Sequence, residues 1–154
     1  MRLWVPGWGR TEATRTTRHW GSFPTTADVG IWARADSASE LFEALGLGLF
    51  ALMTDLRTVR SAEERAVQAS GSDPPGLVVA FLTQLITLHE VEDFLVREIR
   101  CRLVGTPPTA LLAQVRGEPF DPARHPRHFE VKAATFHELV VDLDRRRARV
   151  IVDI

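Results

Sequence analysis

Three carboxylates near the two ends of the patterned part of the chain are the first candidates for chemistry. Asp28 lies in Thr26-Ala-Asp28-Val-Gly30 at the start of a predicted strand, and the chain ends in Asp153 and the free carboxylate of Ile154. With ordinary pKa values of about 3.9 for aspartate and about 3.5 for a terminal carboxyl, all three are ionised at pH 7. If the first and last strands pair, these anions come together and repel unless a cation lies between them.

Such a set of oxygen ligands suits a hard cation, that is Ca²⁺, Mg²⁺ or Mn²⁺. A simpler interpretation also fits the local sequence. Asp28 before Gly30 is typical of a residue that caps a turn, and Asp153 with the terminal carboxylate could be exposed charges at a frayed end. The residues alone leave both interpretations open.

The basic residues are nearly all of one type. Of the 19 lysines and arginines, only Lys132 is a lysine. A genome that favours arginine codons explains the excess of arginine. The alternative is that Lys132 is kept for its compact ammonium group on a flexible stem, which arginine cannot replace.

A loop rich in proline, acid and histidine precedes Lys132 and supplies further candidates. It runs from Gly117 to His128, and its polar candidates, with one residue beyond the loop, are Glu118, Asp121, His125 and His137. A zinc site built on His125, His128 and His137 is a weak hypothesis, because the chain offers no cysteine cluster to complete it. The sequence has neither a nucleophile-elbow motif nor a glycine-rich phosphate loop.

Composition restricts the class of protein. The chain has 154 residues, 45% of them hydrophobic and 25% charged, which is typical of one globular domain. The net charge of −1 gives no overall attraction to nucleic acid or anionic membrane. The single cysteine, Cys101, excludes an intrachain disulfide, and we expect it to be buried as a small apolar residue. No apolar stretch suggests a membrane span or a signal peptide, so we expect a cytoplasmic protein.

The hydrophobic patterns predict an α+β fold, a compact two-layer domain with a mostly antiparallel sheet and two helices on one face. Residues 1–22 are predicted to be a poorly ordered N-terminal extension, and residues 23–154 to be the domain. The first helix begins at a capping box, Ser37 to Glu40, and the second at Ser72-Asp73-Pro74-Pro75 and runs to about Glu90. Strands are predicted at Val29–Ala33, Thr58–Ala69, Phe94–Val104, Ala110–Arg116, Val131–Leu143 and Arg147–Ile154, the last two as a hairpin.

Taken together, these segments resemble the archease family over about residues 25–154. Each motif is short, but their order, their spacing and the strand that ends flush with the C-terminus make the match specific. The matching segments are Thr26–Gly30, Glu40–Phe50, Met53–Asp55, Gly117–His125, Val131–His137 and Arg149–Ile154.

The resemblance implies an accessory protein rather than an enzyme. Archeases activate RtcB-type RNA ligases, which use GTP and Mn²⁺ to guanylylate an active-site histidine and join RNA ends in tRNA splicing and RNA repair. Archease speeds guanylylation and supports multiple turnover. The family's metal site falls on Asp28, Asp153 and the Ile154 carboxylate, and its functional lysine falls on Lys132. The implied partner is therefore a GTP- and Mn²⁺-dependent ligase, with RNA ends as indirect partners and no membrane.

The chain departs from the family pattern at four positions that the resemblance places near the site. Thr25 stands where many archeases have histidine, and the second helix has Ala80, Thr83 and Gln84 in place of acidic and polar residues. Two other classes of function are considered alongside. One is a small metal-dependent hydrolase that uses Asp28, Asp153 and His137; the other is a metal-binding chaperone-like module with another partner.

Overall fold

The computed structural model describes residues 18–154, which form two α-helices, one short 3₁₀ turn and eight strands. The α-helices are α1 (Ala38–Met53) and α2 (Pro74–Glu92), and the 3₁₀ turn is Leu56–Thr58. The strands are β1 (His19–Pro24), β2 (Val29–Arg34), β3 (Glu63–Ser70), β4 (Phe94–Val104), β5 (Ala110–Pro119), β6 (Ala133–Ala134), β7 (Val140–Asp142) and β8 (Arg147–Asp153).

The strands form two antiparallel sheets, which corrects the predicted single sheet. Sheet A has the order β1-β2-β8-β6, and β7 also pairs with β8. Sheet B has the order β3-β5-β4. Both helices pack against strands of both sheets, α1 chiefly on β4 and β2 and α2 chiefly on β3. The predicted α+β class is confirmed, and the core lies between the helices and the inner faces of the two sheets.

Both helices begin where the sequence predicts. The Ser37 hydroxyl oxygen accepts the Glu40 N–H at 3.2 Å, and the hydroxyl donates to Oε1 of Glu40 at 3.1 Å. At α2 the Asp73 carboxylate accepts the Gly76 N–H at 2.7 Å. These bonds satisfy main-chain donors that the first turn of a helix leaves free.

By length and composition, α2 is the one helix within residues 18–154 that could cross a membrane. Several of its apolar side chains pack in the protein core. Phe81 packs against Phe42 of α1 with ring centroids 6.2 Å apart, and Leu82 and Leu85 are fully buried. Thr83 and Gln84 are exposed on the other side of the helix.

The free edge of β4 is covered by an ion pair. The buried Glu43 carboxylate of α1 accepts the Cys101 N–H at 2.8 Å. Arg18 donates to the other oxygen of Glu43 at 2.8 Å and to the Ile99 carbonyl at 3.3 Å. Burial raises the pKa of Glu43 above its ordinary value, while the Cys101 N–H and Arg18 oppose that rise. The Cys101 N–H and the Ile99 carbonyl of this edge are therefore bonded within the protein.

Three predictions about strands need correction. Residues 19–22, which were assigned to a poorly ordered extension, form most of β1, because every residue of that strand pairs with β2 and Trp20 packs on α1 beside Gly48. The remainder of the predicted extension, residues 1–17, lies outside the described part. The strand predicted from Thr58 begins only at Glu63, after the 3₁₀ turn.

The third correction concerns Val131–Leu143, which is not one strand. Its ends, β6 and β7, pair with different parts of β8. Between them the chain turns: the Leu139 N–H donates to the Phe136 carbonyl at 3.2 Å, and Glu138 has a φ of 51°. A left-handed residue interrupts the extended backbone that a continuous strand requires. The hairpin of β7 and β8 is confirmed.

Candidate functional site

Asp28 is positioned by a turn between β1 and β2. The Thr25 N–H donates to the Asp28 carbonyl at 3.1 Å, and the Asp28 N–H donates to the Thr25 hydroxyl at 3.0 Å. Because a side-chain oxygen closes this turn, Thr25 fixes the backbone from which the Asp28 carboxylate projects. Sequence reasoning treated Thr25 only as a departure from a family pattern; the turn gives it a role.

The register of sheet A places Asp28 next to Asp153. β2 and β8 pair as far as Val29 and Val152, and Asp28 and Asp153 are the next residues along each strand. Side chains alternate between the faces of a strand. Gly30 and Trp32 lie on the same face as Asp28 and oppose Ile151 and Arg149 of β8, so the two aspartates continue that face. The expected pairing of first and last predicted strands is therefore confirmed.

On the other side of β8, β6 brings Lys132 to the same end. Ala133 pairs with Asp153, and the Lys132 N–H donates to the Asp153 carbonyl at 2.8 Å. Lys132 therefore stands opposite Ile154, with its side chain exposed. One end of sheet A thus carries two aspartates, the half-buried C-terminal residue and the lysine; we call this the sheet A terminus.

The donor set at the sheet A terminus has an unusual composition. Within residues 18–154, no three His, Cys, Asp or Glu side chains converge in a way that could hold a metal ion. Two aspartate side chains are available, and the third anionic group is the main-chain carboxylate of Ile154. All are hard oxygen ligands, so their chemistry fits Ca²⁺, Mg²⁺ or Mn²⁺ and does not fit a soft, thiolate-bound metal.

The loop candidates form a separate cluster around a buried carboxylate. The Glu118 carboxylate accepts hydrogen bonds from Nη1 and Nη2 of Arg124, at 2.9 and 2.7 Å. It also accepts the main-chain N–H of Arg60 at 2.8 Å. Its Oε2 also lies 2.9 Å from Nε2 of His125. Because the Asp121 N–H donates to Nδ1 of His125 at 2.8 Å, that nitrogen is the acceptor and Nε2 carries the proton given to Glu118. Every ring nitrogen of His125 is thus engaged.

This cluster holds the loop that leads to Lys132. The loop is also fastened to the end of α1, where the His128 N–H donates to the Met53 carbonyl and the Phe129 N–H to the Leu52 carbonyl, both at 2.9 Å. Glu118, Asp121 and His125 are therefore bonded to one another and to Arg124, which fixes the path of this loop. Sequence reasoning missed Arg124, whose pairing with Glu118 depends on how the loop folds back.

Glu118 should make the protein sensitive to acid. The Arg124 guanidinium, together with the Arg60 N–H and His125, lowers the pKa of Glu118 to about 2, against an ordinary value of 4.5. The stability it contributes is present above pH 4.5 and is lost as the pH falls toward 2, because only the unfolded chain then takes up the proton readily. Since Arg124 is partly exposed, that contribution is roughly 1–3 kcal/mol.

We therefore expect Glu118→Gln to be less stable than wild type at pH 7 and to lose less stability on acidification. Denaturant unfolding at a series of pH values measures both effects. Glu130→Gln changes an exposed residue just after this loop, so it is the matched control and should follow wild type. Parallel pH profiles for wild type and Glu118→Gln would show that the hydrogen bonds to Glu118 do not depress its pKa.

The remaining candidates lie apart from one another. His137 is exposed on the turn between β6 and β7, and His125 is buried in the loop cluster. In the described part of the chain, neither the three histidines of the zinc hypothesis nor the trio Asp28, Asp153 and His137 forms a metal-holding group. Cys101 is buried, and burial raises the pKa of its thiol well above the ordinary value, which confirms the expected apolar role.

Two of the three departures in α2 line a groove against sheet B. Ala80 and Gln84 line a groove with Gln68 and Ser70 of β3 and with residues of β5, all in sheet B. None of the residues at the sheet A terminus lines that groove. Ala80 and Gln84 therefore face a groove formed with sheet B.

Comparison with known proteins gives the family of this chain. Residues 20–154 match the family described as "Archease protein family (MTH1598/TM1083)". Protein archease from Pyrococcus abyssi is 32% identical over 126 residues, which cover 81% of this chain and 89% of that protein. Protein archease from Methanothermobacter thermautotrophicus is 35% identical over 135 residues, with 86% and 96% covered.

A solved structure shares the fold as well. The solution structure of Methanobacterium thermoautotrophicum protein 1598 superposes with a TM-score of 0.71 at 31% sequence identity, covering 88% of this chain and 98% of that one. The fold and the two-sheet arrangement thus place the chain in a defined class of small α+β proteins. The chain belongs to the archease family.

Proposed function

We propose that this protein is an accessory activator of an RtcB-type RNA ligase in the cytoplasm and is not itself a ligase. The observation that carries the proposal is the placement of Asp28, Asp153, the Ile154 carboxylate and Lys132 at one end of sheet A, in a chain of the archease family. Activation would consist of promoting guanylylation of the ligase and its multiple turnover, with RNA ends as the ligase's substrates.

In this proposal the sheet A terminus holds a divalent cation through oxygen ligands. The ligands would be Asp28, Asp153 and the terminal carboxylate. A cation bound there would neutralise negative charge on a nucleoside triphosphate. The ligands come from two paired strands and from the turn that Thr25 closes, so little rearrangement is needed before they act. Groups that are held in place before the reaction stabilise developing charge better than mobile groups do.

Lys132 would supply a second positive charge. Its main chain is bonded to Asp153, whereas its side chain is exposed and carries a flexible stem. An ammonium on such a stem reaches a phosphate as a point charge without a fixed approach direction. We propose that, with the protein docked on the ligase, Lys132 meets a phosphate group beside the cation ligands.

The test is GTP-dependent guanylylation of the RtcB-type ligase from the same organism, with and without this protein. We expect wild type to accelerate guanylylation and Asp153→Ala and Lys132→Ala to lose most of that acceleration, roughly 10-fold or more. Asp144→Ala is the matched control, since Asp144 is an exposed aspartate on the turn at the opposite end of β8.

Two results would count against the proposal. If wild type does not accelerate an active ligase, the protein has another partner. If wild type accelerates it and both variants do so equally well, activation does not pass through the sheet A terminus. Hydrolysis by the protein alone would support the enzyme alternative, although its trio of Asp28, Asp153 and His137 is not brought together within residues 18–154.

A further inference from the structure

The outer face of sheet A, turned away from the helices, carries a row of exposed side chains. On β2, Trp32 and Arg34 are exposed while Ala33 between them is buried. On β8, Arg147 and Arg149 are exposed in the same alternation. The register sets Trp32 directly opposite Arg149, and Arg34 directly opposite Arg147. Two adjacent cross-strand pairs therefore present one aromatic ring and three guanidinium groups to solvent.

The two aromatic rings on this face lie across neighbouring glycines. A Cβ atom added to Gly21 of β1 would overlap the indole of Trp32, and one added to Gly30 would overlap the ring of Phe23. Each glycine thus lets a ring lie against the sheet where a side chain would otherwise stand. Trp32 remains 38% exposed. A ring supported from below and open above is a surface on which a planar group can stack.

The register places Asp142 of β7 opposite Arg147, but no acidic residue opposite Arg34 or Arg149. Arg34 and Arg147 are like charges in direct cross-strand opposition, which is unfavourable. Within residues 18–154 neither they nor Arg149 forms an ion pair or side-chain hydrogen bond. An anion placed between them would relieve the repulsion.

The neighbouring residues leave this end of the sheet positive. The turn between β7 and β8 adds Arg145 and Arg146, while the acidic residues nearby are Asp36, Asp142 and Asp144. Asp142 accepts the Arg145 N–H at 3.0 Å and stands opposite Arg147, so it offsets one of these positive charges. Five arginines against three aspartates form a local basic patch on a chain whose net charge is −1.

We infer that this face binds a short single-stranded RNA segment, with a base stacked on Trp32 and phosphates held by Arg34, Arg147 and Arg149. Proteins that bind single-stranded nucleic acid combine arginine side chains with exposed aromatic rings. Each base can stack on an aromatic ring, and each phosphate carries a negative charge that arginine can bind. Successive cross-strand pairs on one face of a sheet are about 7 Å apart. The guanidinium groups can therefore contact successive phosphates of an RNA backbone that lies along the strands. An acidic protein surface would match the charge but would leave the supported indole without a planar partner.

The choice of RNA as the single strand rests on the proposed function, whereas the stacking and charge argument does not. The Trp32–Arg149 pair lies four residues along β2 from Asp28, about 13 Å on the same face. An RNA strand on this platform would therefore have one end within reach of the sheet A terminus.

Fluorescence anisotropy of a labelled short oligouridylate, titrated with the full chain alone, tests the inference without the ligase. We expect Trp32→Ala to weaken binding roughly 10-fold and Trp32→Phe to stay within about 3-fold of wild type, because phenylalanine still stacks. Arg149→Ala should reduce the slope of log affinity against log salt concentration by about 0.7, the value of one lost phosphate contact on a single strand.

Two further variants separate binding on this face from folding and from general charge. Gly21→Ala keeps every proposed contact group but displaces the indole, so it should weaken binding as Trp32→Ala does. Arg102→Ala removes an exposed strand arginine of sheet B and should bind like wild type. Thermal melts check that each variant is folded.

The inference is overturned if the oligouridylate does not bind, or if Arg102→Ala weakens binding as much as Arg149→Ala. It is also overturned if polyglutamate competes fully while Trp32→Ala and Gly21→Ala bind like wild type, since the patch would then recognise acidic protein surfaces. Because the ligase is absent, none of these results depends on whether the protein activates guanylylation.

Discussion

A protein lengthened by even one glycine after Ile154 is expected to lose most of its ability to stimulate guanylylation, whereas the same addition before Met1 should leave it intact. The extension turns the terminal carboxylate into a neutral amide and so removes one of three proposed anionic ligands. Removing groups around a metal commonly costs 10–100-fold in affinity or activity, and we expect a loss in that range. Guanylylation rates and calorimetric titration with Ca²⁺ or Mn²⁺ measure the two effects separately.

Ile154→Val is the matched control for the extension. It shortens the half-buried side chain by one methylene but keeps the free carboxylate at the same position in the chain. This variant should bind the cation and stimulate the ligase like wild type. Equal stimulation by the C-terminally and N-terminally extended proteins would argue strongly against a cation site at the chain terminus.

Replacing Gly117 by alanine is expected to have the largest effect on stability. Between β4 and β5 the register shifts from the Val96–Gly117 pair to the Glu98–Arg116 pair, so Arg97 is an extra residue in a bulge. The bulge brings the Leu95 carbonyl against Gly117, where an added Cβ would overlap the carbonyl oxygen and carbon. Because those are main-chain atoms of a buried strand, relief requires moving the strand, and we expect a cost of roughly 3 kcal/mol or more.

Denaturant unfolding measures this cost, with Gly76→Ala as control. Gly76 lies in the first turn of α2, where an added Cβ meets only a side-chain oxygen of Asp73 at 3.0 Å. That substitution should change stability by less than about 1 kcal/mol, since alanine favours a helix. A Gly117→Ala protein as stable as the control would show that the bulge relaxes freely.

Local signals predicted the helices well because their determinants lie close together in the sequence. Ser37 and Asp73 bond to groups three residues away, so the same residues that mark the helix starts also make them. β4 is likewise readable from its own alternation of apolar and charged residues. The confirmed α+β class follows from such patterns.

Elements that depend on distant partners were harder to predict. β1 contains Gly21 and Pro24, which weaken the pattern of a strand in the sequence. It forms because it pairs with β2 and packs on α1. The separation of β6 from β7 depends on where each meets β8. Likewise, Gly117–Pro119 continues β5 because the bulge in β4 accommodates it, although glycine and proline suggested a loop.

The candidate site likewise has features that the sequence predicts and features that depend on distant contacts. The proximity of Asp28 and Asp153 followed from one assumption, that the strands beside them pair, and β2 and β8 do pair. The role of Thr25 and the partnership of Glu118 with Arg124 could not be read in advance, since both require the path of a loop. That the terminus holds a cation, and which cation it is, stays a prediction.

The ion pair of Arg18 and Glu43 has a consequence for how the chain is handled. A protein begun at residue 23 would lack Arg18 and most of β1, leaving the buried Glu43 carboxylate without that cation and the β4 edge less covered. An uncovered strand edge is a template on which another molecule can add a strand. We therefore expect a protein that lacks residues 18–22 to aggregate more readily, and expressed forms should keep these residues.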